Sequence, residues 1–187
     1  IDIANPGLGA AQTTKVTVTF SEKVVGFDPA TDITLSDSSA GSLSSFISAD
    51  GGVTWIAEFT PAAGVASGST TISLAKGSYS DIAGNVGEGE LSSAITIDTK
   101  APDAPTVAAV STDNLLNKAD HDGGFTLTGT CEAKVGATVK VSGFLTGAKD
   151  ATVANGTWTL AVAKADLTAD AATMLSITQS DAVGNKS

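Results

Sequence analysis

The chain has 187 residues and a formal net charge of −10, from 20 acids against ten lysines with no arginine, so it lacks the basic face of a nucleic-acid binder. Its apolar content of 42% is enough for a core, yet no apolar run reaches transmembrane length and no basic-plus-apolar signal peptide opens the chain. A single cysteine, Cys131, excludes an internal disulfide, and the bare Ile1 start reads as an excerpt from a longer protein.

Strand patterns begin at once. A first short strand is expected near Ile1 to Ala4, and TTKVTVTF (Thr13 to Phe20) puts Val16, Val18 and Phe20 on one face, opposite Lys15, Thr17 and Thr19. DITLS (Asp32 to Ser36) and SLSSFI (Ser42 to Ile47) follow. VTWIAEFT (Val53 to Thr60) sets Trp55, Ala57 and Phe59 against Thr54, Ile56 and Glu58. TTISLAK (Thr70 to Lys76) and SAITID (Ser93 to Asp98) complete seven short strands, with DPATD and SADGG as turns between them. Seven strands in about 98 residues fit a two-sheet sandwich.

DTKAPDAPTV (Asp98 to Val107) interrupts the pattern, and Pro102 and Pro105 make it a short, stiff connector. Residues 1–98 therefore read as one domain, 99–105 as a linker and 106–187 as a second sandwich. The second series runs TVAAV, GFTLTGTC (Gly124 to Cys131), TVKVSG (Thr138 to Gly143), TWTLAVA (Thr157 to Ala163) and ATMLSITQS (Ala172 to Ser180). NGTW (Asn155 to Trp158) is a turn into an aromatic-bearing strand, and LTADAA (Leu167 to Ala172) a candidate helical turn. No closing strand follows Ser187, so the second sandwich reads as lacking its last strand.

The acids concentrate in the first part, with 11 against 3 lysines through Asp98 and 9 against 7 beyond it. If strands alternate up and down, the loops at the upper end of the first domain carry Glu22, Asp28, Asp32, Asp50 and Asp81, and those of the second carry Glu132 and Asp181. The connector leaves the lower end of the first domain over the upper end of the second, so Asp98, Asp103, Glu132 and Asp181 would converge at one junction. Two readings of this pattern stand. Calcium takes six to eight oxygens and would give four acids a reason to share one space. Equally, an Asp in a loop such as SDIAGNVG (Ser80 to Gly87) or SDAVGNKS (Ser180 to Ser187) can accept amides of its own turn.

The ordered run TTKVTVTFSEKVVGFDPATDITLS, SLSSFISADGGVTWIAEFTP, GSYSDIAGNVG and ITIDTKAP resembles the tandem bacterial immunoglobulin-like repeats of giant surface adhesins, including those with RTX-type C-termini. GTCEAKVGATVKVSG and SDAVGN resemble the related, shorter repeat, with an insertion in EAKVGATV and a swapped Ala-Val order. The resemblance implies an all-β fold of two tandem immunoglobulin-like sandwiches on the bacterial cell surface. It implies an extender that holds a ligand-binding tip away from the envelope beside neighbouring repeats of the same polypeptide, as in biofilm-associated adhesins, with no insertion into the membrane. It also implies Ca²⁺ at the junction on Asp98, Asp103, Glu132 and Asp181, and a weaker upper-end site on Asp28, Asp32, Asp50 and Asp81.

Two rival functions are set against this. Catalysis would have to start from His121 in ADHDGG, but no oriented nucleophile or phosphate cradle accompanies it, so no enzyme is expected. A glycan- or protein-binding module would need an exposed aromatic platform. Trp55 and Trp158 lie in alternating strands and are expected in the core, leaving Tyr79 as the candidate ring. Cys131 is expected to be a structural or incidental thiol.

Overall fold

Pro6 sets the layering of the first unit. Having no N–H, it interrupts the opening strand between β1 (Asp2–Ile3) and β2 (Gly7–Leu8), and the two halves join different sheets. Beyond them come β3 (Thr14–Thr19), α1 (Pro29–Asp32), β4 (Ile33–Leu35), β5 (Gly41–Leu43), β6 (Thr54–Pro61), β7 (Gly68–Thr70), β8 (Ile72–Leu74), β9 (Glu90–Leu91) and β10 (Ile95–Ile97). The computed structural model describes residues 1–110, 118–134, 136–143, 145–167 and 174–187, and divides into two units, Ile1–Lys100 and Ala101–Ser187.

In the first unit one sheet has the order β1-β3-β6-β5, and the facing layer is made of β2-β10-β7 and β4-β8-β9. The expected strand Thr70 to Lys76 is in fact two: β7 pairs with β10, while β8 pairs with β4 and β9. Its chain changes partner at Thr71, whose N–H donates to Ser36 Oγ (2.9 Å) between the two ladders. Leu8, Val16, Val18, Phe59, Ile72, Ile95 and Ile97 fill the space between the layers. Val16, Val18 and Phe59 point inward as their alternation requires. The segment Ser42 to Ile47 is strand only to Leu43, with Ile47 returning as a single bridge to Ile56.

The second unit contains α2 (Lys118–Gly123), β11 (Phe125–Thr130), β12 (Thr138–Ser142), β13 (Lys149–Ala154), β14 (Thr157–Val162), a 3₁₀ turn at Lys164–Asp166, and β15 (Ser176–Ser180). β13 was not anticipated, because KDATVA opens on two charges and holds only one bulky apolar residue. It is the strand that joins the layers: Lys149–Ala151 pair with β12, and Thr152–Ala154 pair with β14. The ladder therefore runs β11-β14-β13-β12-β15 around Leu127, Val139, Val141, Trp158 and Val162. The expected strand TVAAV lies beside β11, with Thr106 N donating to Thr130 O (2.9 Å) and Ala108 N to Thr128 O (2.8 Å). At the other edge Lys186 bridges Ser180, and Ser187 N donates to Gln179 O (3.0 Å), so the chain turns back antiparallel along β15. Leu167 to Ala172 falls almost wholly outside the described residues.

Both units are thus all-β, each with its strands around its own buried core. Trp158 fixes the entry to the second. Its ring is fully buried and its Nε1 donates to Thr106 O (2.9 Å). This close approach requires Gly129, where a Cβ would collide with Thr106 O and lie 2.6 Å from Trp158 Nε1. Gly129→Ala should therefore destabilise the second unit by about 1–3 kcal/mol, the range for overpacking. Urea unfolding followed by tryptophan fluorescence measures it, and an unchanged midpoint would contradict the packing described.

Candidate functional site

The two octapeptides fold alike. In each, the Asp N–H donates to the Asn carbonyl four residues on (Asp81 to Asn85, 3.0 Å; Asp181 to Asn185, 3.1 Å), and the Gly N–H returns to the Asp carbonyl (3.2 Å in both). Gly84 and Gly184 both have φ of 91°, a left-handed conformation that glycine takes without strain. The Asp side chain then closes the loop. Asp81 Oδ1 accepts from Asn85 N (2.8 Å) and Oδ2 from Asn85 Nδ2 (2.6 Å). Asp181 Oδ1 accepts from Val183 N (3.1 Å) and Asn185 N (2.9 Å), and Oδ2 from Asn185 Nδ2 (2.7 Å). The Asn85 amide, more than any other group, holds the Asp81 carboxyl below its usual range.

The remaining upper-end aspartates of the first unit also hold their own turns. Asp28 Oδ1 accepts from Ala30 N (3.0 Å), and Asp28 N donates to Asp32 Oδ2 (2.8 Å), a reciprocal cap on α1. Asp50 Oδ1 takes Thr54 N (2.8 Å), Ser48 Oγ (2.9 Å) and Val53 N (3.2 Å), and these bonds, led by Thr54, push its pKa down to about 2. A cavity of about 290 Å³ opens at this end, lined by Phe20, Glu22, Tyr79, Asp81, Asn85 and Glu90 among others. Asp28 borders a different cavity, beside Leu43 and Phe46. The four upper-end acids are not brought to one point.

The four junction acids are distributed over both units. Asp98 follows β10 at the end of the first, half-buried, with its N–H on Leu8 O (2.9 Å). Asp103, Glu132 and Asp181 belong to the second, where their loops are stitched together. Asp103 N donates to Glu132 Oε2 (3.1 Å). The fully buried Gln179 amide grips the Glu132 backbone from both sides: Glu132 N donates to Gln179 Oε1 (2.9 Å), and Gln179 Nε2 donates to Glu132 O (2.8 Å). A Cβ at Gly136 would lie 3.0 Å from Ala182 Cβ, so the loop after Glu132 touches the Asp181 loop. Even so, among the described residues no three acidic, histidine or cysteine side chains gather as a ready metal cluster. Sequence reasoning passed over Gln179, although a polar residue two positions after Ile177 in an alternating strand marks a buried amide.

The rival sites resolve differently. Trp55 is half-buried against the first core, edge-on to Phe27 at 5.3 Å, and Tyr79 packs edge-on to Phe20 at 4.8 Å and over Gly87. Tyr79, the candidate ring for a binding platform, is therefore a core-side ring. Among the described residues no Trp, Tyr or Phe is exposed. His121 lies in the short helix α2. Its Nδ1 is 3.3 Å from Asp122 Oδ1, and Asp122 also binds Lys118 and Lys164 Nζ (2.7 Å), which hold its carboxyl far below the usual range. Cys131 is half-buried against the second core, and burial raises its thiol pKa. No helix among the described residues is long and apolar enough to cross a membrane.

Residues 1–97 match the profile of the bacterial Ig-like domain. The chain belongs to the bacterial Ig-like family. No curated protein matches this Ig-like chain. Among solved structures it is similar to a Ca²⁺-stabilised adhesin that helps an Antarctic bacterium reach out and bind ice, at 25% identity and a TM-score of 0.43 over 97% of this chain and 43% of that one. It is also similar to the I67–I69 fragment of the titin I-band, at 12% identity and a TM-score of 0.38 over 99% of this chain and 62% of that one. The Ig-like chain thus spans less than two thirds of either structure.

Two outcomes follow from the loop geometry. Asp181→Ala removes the carboxylate that accepts from Val183 N, Asn185 N and Asn185 Nδ2, and should cost about 3 kcal/mol in chelator, as read from urea unfolding. For Asp50, a folded pKa below the ordinary 3.8 means that its bonds stabilise the fold fully above about pH 4 and are lost as pH falls towards about 2. An NMR titration of its side-chain carboxyl should find the midpoint near 2; a midpoint near 3.8 would mean that the turn is open in solution.

Proposed function

We propose that the chain is a structural extender module of a bacterial cell-surface adhesin. Two Ig-like repeats in series, beside further repeats of the same polypeptide, would project a distal ligand-binding region from the envelope. Family membership and the resemblance to extender repeats support the reading, and the connector carries it. Thr99 is fastened to the first unit through Val65 (Thr99 N to Val65 O, 2.7 Å) and Ala62 (Thr99 Oγ1 to Ala62 O, 2.6 Å), and Lys100 N donates to Val65 O (2.9 Å). Asp103 is already fastened to Glu132, and Thr106 to Thr130. Only Ala101 and Pro102 lie between these anchors, three peptide links that span about 11 Å at most with one φ fixed. A tether this short transmits force and limits swing, as an extender requires and a flexible linker does not.

We further propose that Ca²⁺ stiffens this joint, on Asp98, Asp103, Glu132 and Asp181. The donor set suits it: four carboxylates, with no thiolate or imidazole, are the oxygen ligands of a hard cation. Bound there, calcium would supply the positive charge that lets like-charged loops lie together. Asp181 keeps its fold by accepting three loop hydrogen bonds, out of about four acceptor positions on a carboxylate, so it would contribute the lone pair that remains. Glu132, held by its backbone, would offer its side chain from a fixed point. The upper-end acids Asp28, Asp32, Asp50 and Asp81 are the weaker set, each already occupied with its own turn.

The test is interdomain mobility from ¹⁵N relaxation and X-ray scattering, in calcium and in chelator, with a four-residue Gly-Ser insertion after Pro102 for comparison. The insertion should loosen the pair under all conditions, and calcium should slow the relative motion of the parent chain. Equal mobility with and without the insertion would sink the extender reading. Equal mobility in calcium and chelator, with no binding heat, would sink the calcium reading alone.

A further inference from the structure

Asn155 and Gly156 are the one Asn–Gly pair of the sequence, and they form the two-residue turn between β13 and β14. Both lie in the left-handed region, at φ 52° and 77°, the backbone of a hairpin turn that fixes strand register. Asn155 is exposed, and among the described residues neither its side chain nor the Gly156 N–H has a hydrogen-bond partner. The other described asparagines are secured. Asn85 and Asn185 each give Nδ2 to the aspartate of their loop (2.6 and 2.7 Å) and their own N–H to its other oxygen (2.8 and 2.9 Å). Each is followed by a residue with a bulky side chain, Val86 or Lys186, and Asn5 by Pro6, which has no N–H.

We propose that Asn155 is a self-modification site, at which the chain supplies the nucleophile and water is the only co-reactant. When the turn opens, the deprotonated amide nitrogen of Gly156 attacks Cγ of Asn155. The new N–C bond closes a succinimide ring, and the bond from Cγ to Nδ2 breaks, Nδ2 leaving as ammonia with the proton that the amide lost. Water then opens the ring at either carbonyl, giving aspartate or isoaspartate. Glycine leaves the attacking nitrogen unhindered, whereas Asn85 and Asn185 first have to break hydrogen bonds to a carboxylate, which slows them roughly tenfold or more. The isoaspartyl product carries an extra methylene in the main chain of a turn built for two residues, so the Ala154–Thr157 pairing shifts. The turn also holds its neighbour: Cys131 N donates to Gly156 O (2.9 Å), and a Cβ at Gly156 would lie 3.5 Å from Ala133 Cβ. The reaction therefore loosens the loop that carries Glu132, whether or not the extender and calcium readings hold.

Incubation of the full chain in warm, mildly alkaline buffer tests this, with peptide mapping by mass spectrometry and with methyl esterification by an isoaspartyl methyltransferase to count the isoaspartate. Aspartate and isoaspartate should appear first at position 155, roughly ten times or more faster than at Asn85 and Asn185, and faster as pH rises. The isolated isoaspartyl form should melt below the parent chain. Asn155→Asp, with the same added charge on a normal main chain, should melt close to the parent. If Asn155 stays intact in the folded chain while it reacts in urea, or if Asn85 or Asn185 reacts ahead of it, the site is overturned. If the isoaspartyl form melts with the parent chain, the reaction stands and the shift in pairing is overturned.

Discussion

A backbone amide that no strand ladder reaches takes another acceptor, and in a sandwich made of short strands many such amides lie in loops. In this chain carboxylates meet that need. Asp28, Asp50, Asp81 and Asp181 each accept from backbone N–H groups of their own turns. The acidity that dominates the composition is thus first a means of holding loops in one shape. Loops fixed in this way present the same residues at the same end of each unit, and any function at those ends depends on it.

The same bonds limit what the acids can do for a ligand. Among the described residues the upper-end aspartates of the first unit, each bonded within its own turn, form no ready metal cluster. Glu132 differs. Its backbone is gripped by Gln179, leaving its side chain to face outward to an amide and an ammonium. Order supplied through the main chain leaves the charged end available, whereas order supplied through the carboxylate uses it up.

A comparable economy governs the connector. Thr99 is buried and tied to Ala62 and Val65, and Thr106 is tied to Thr130 and Trp158, so each unit extends its own hydrogen bonding almost to the boundary. The connector is thus held by hydrogen bonds on both sides of Ala101 and Pro102. The two prolines alone would not hold it, since a proline stiffens only its own φ.

Sequence determined the local structure. Period-two alternation identified β3 and β6 with the correct inward residues, and the Asp-x-x-Gly-Asn spacing marked two equivalent turns, because a side chain reaching four residues along is a local event. Tertiary structure alone decided which strands share a sheet. The partner changes at Pro6, Thr71 and within β13 are legible only when the second layer is present, since each half-strand satisfies its amides on a different neighbour. It also decided the status of the acids. Sequence placed Asp103, Glu132 and Asp181 at one end of the second unit, but whether an acid faces inward to its own loop or outward depends on contacts between residues 29 to 47 positions apart, as in Asp103–Glu132 and Glu132–Gln179. Alternation in β15 puts Gln179 on the Ile177 face, but no local pattern encodes which groups it meets there or the approach of Lys134, because those arise from packing.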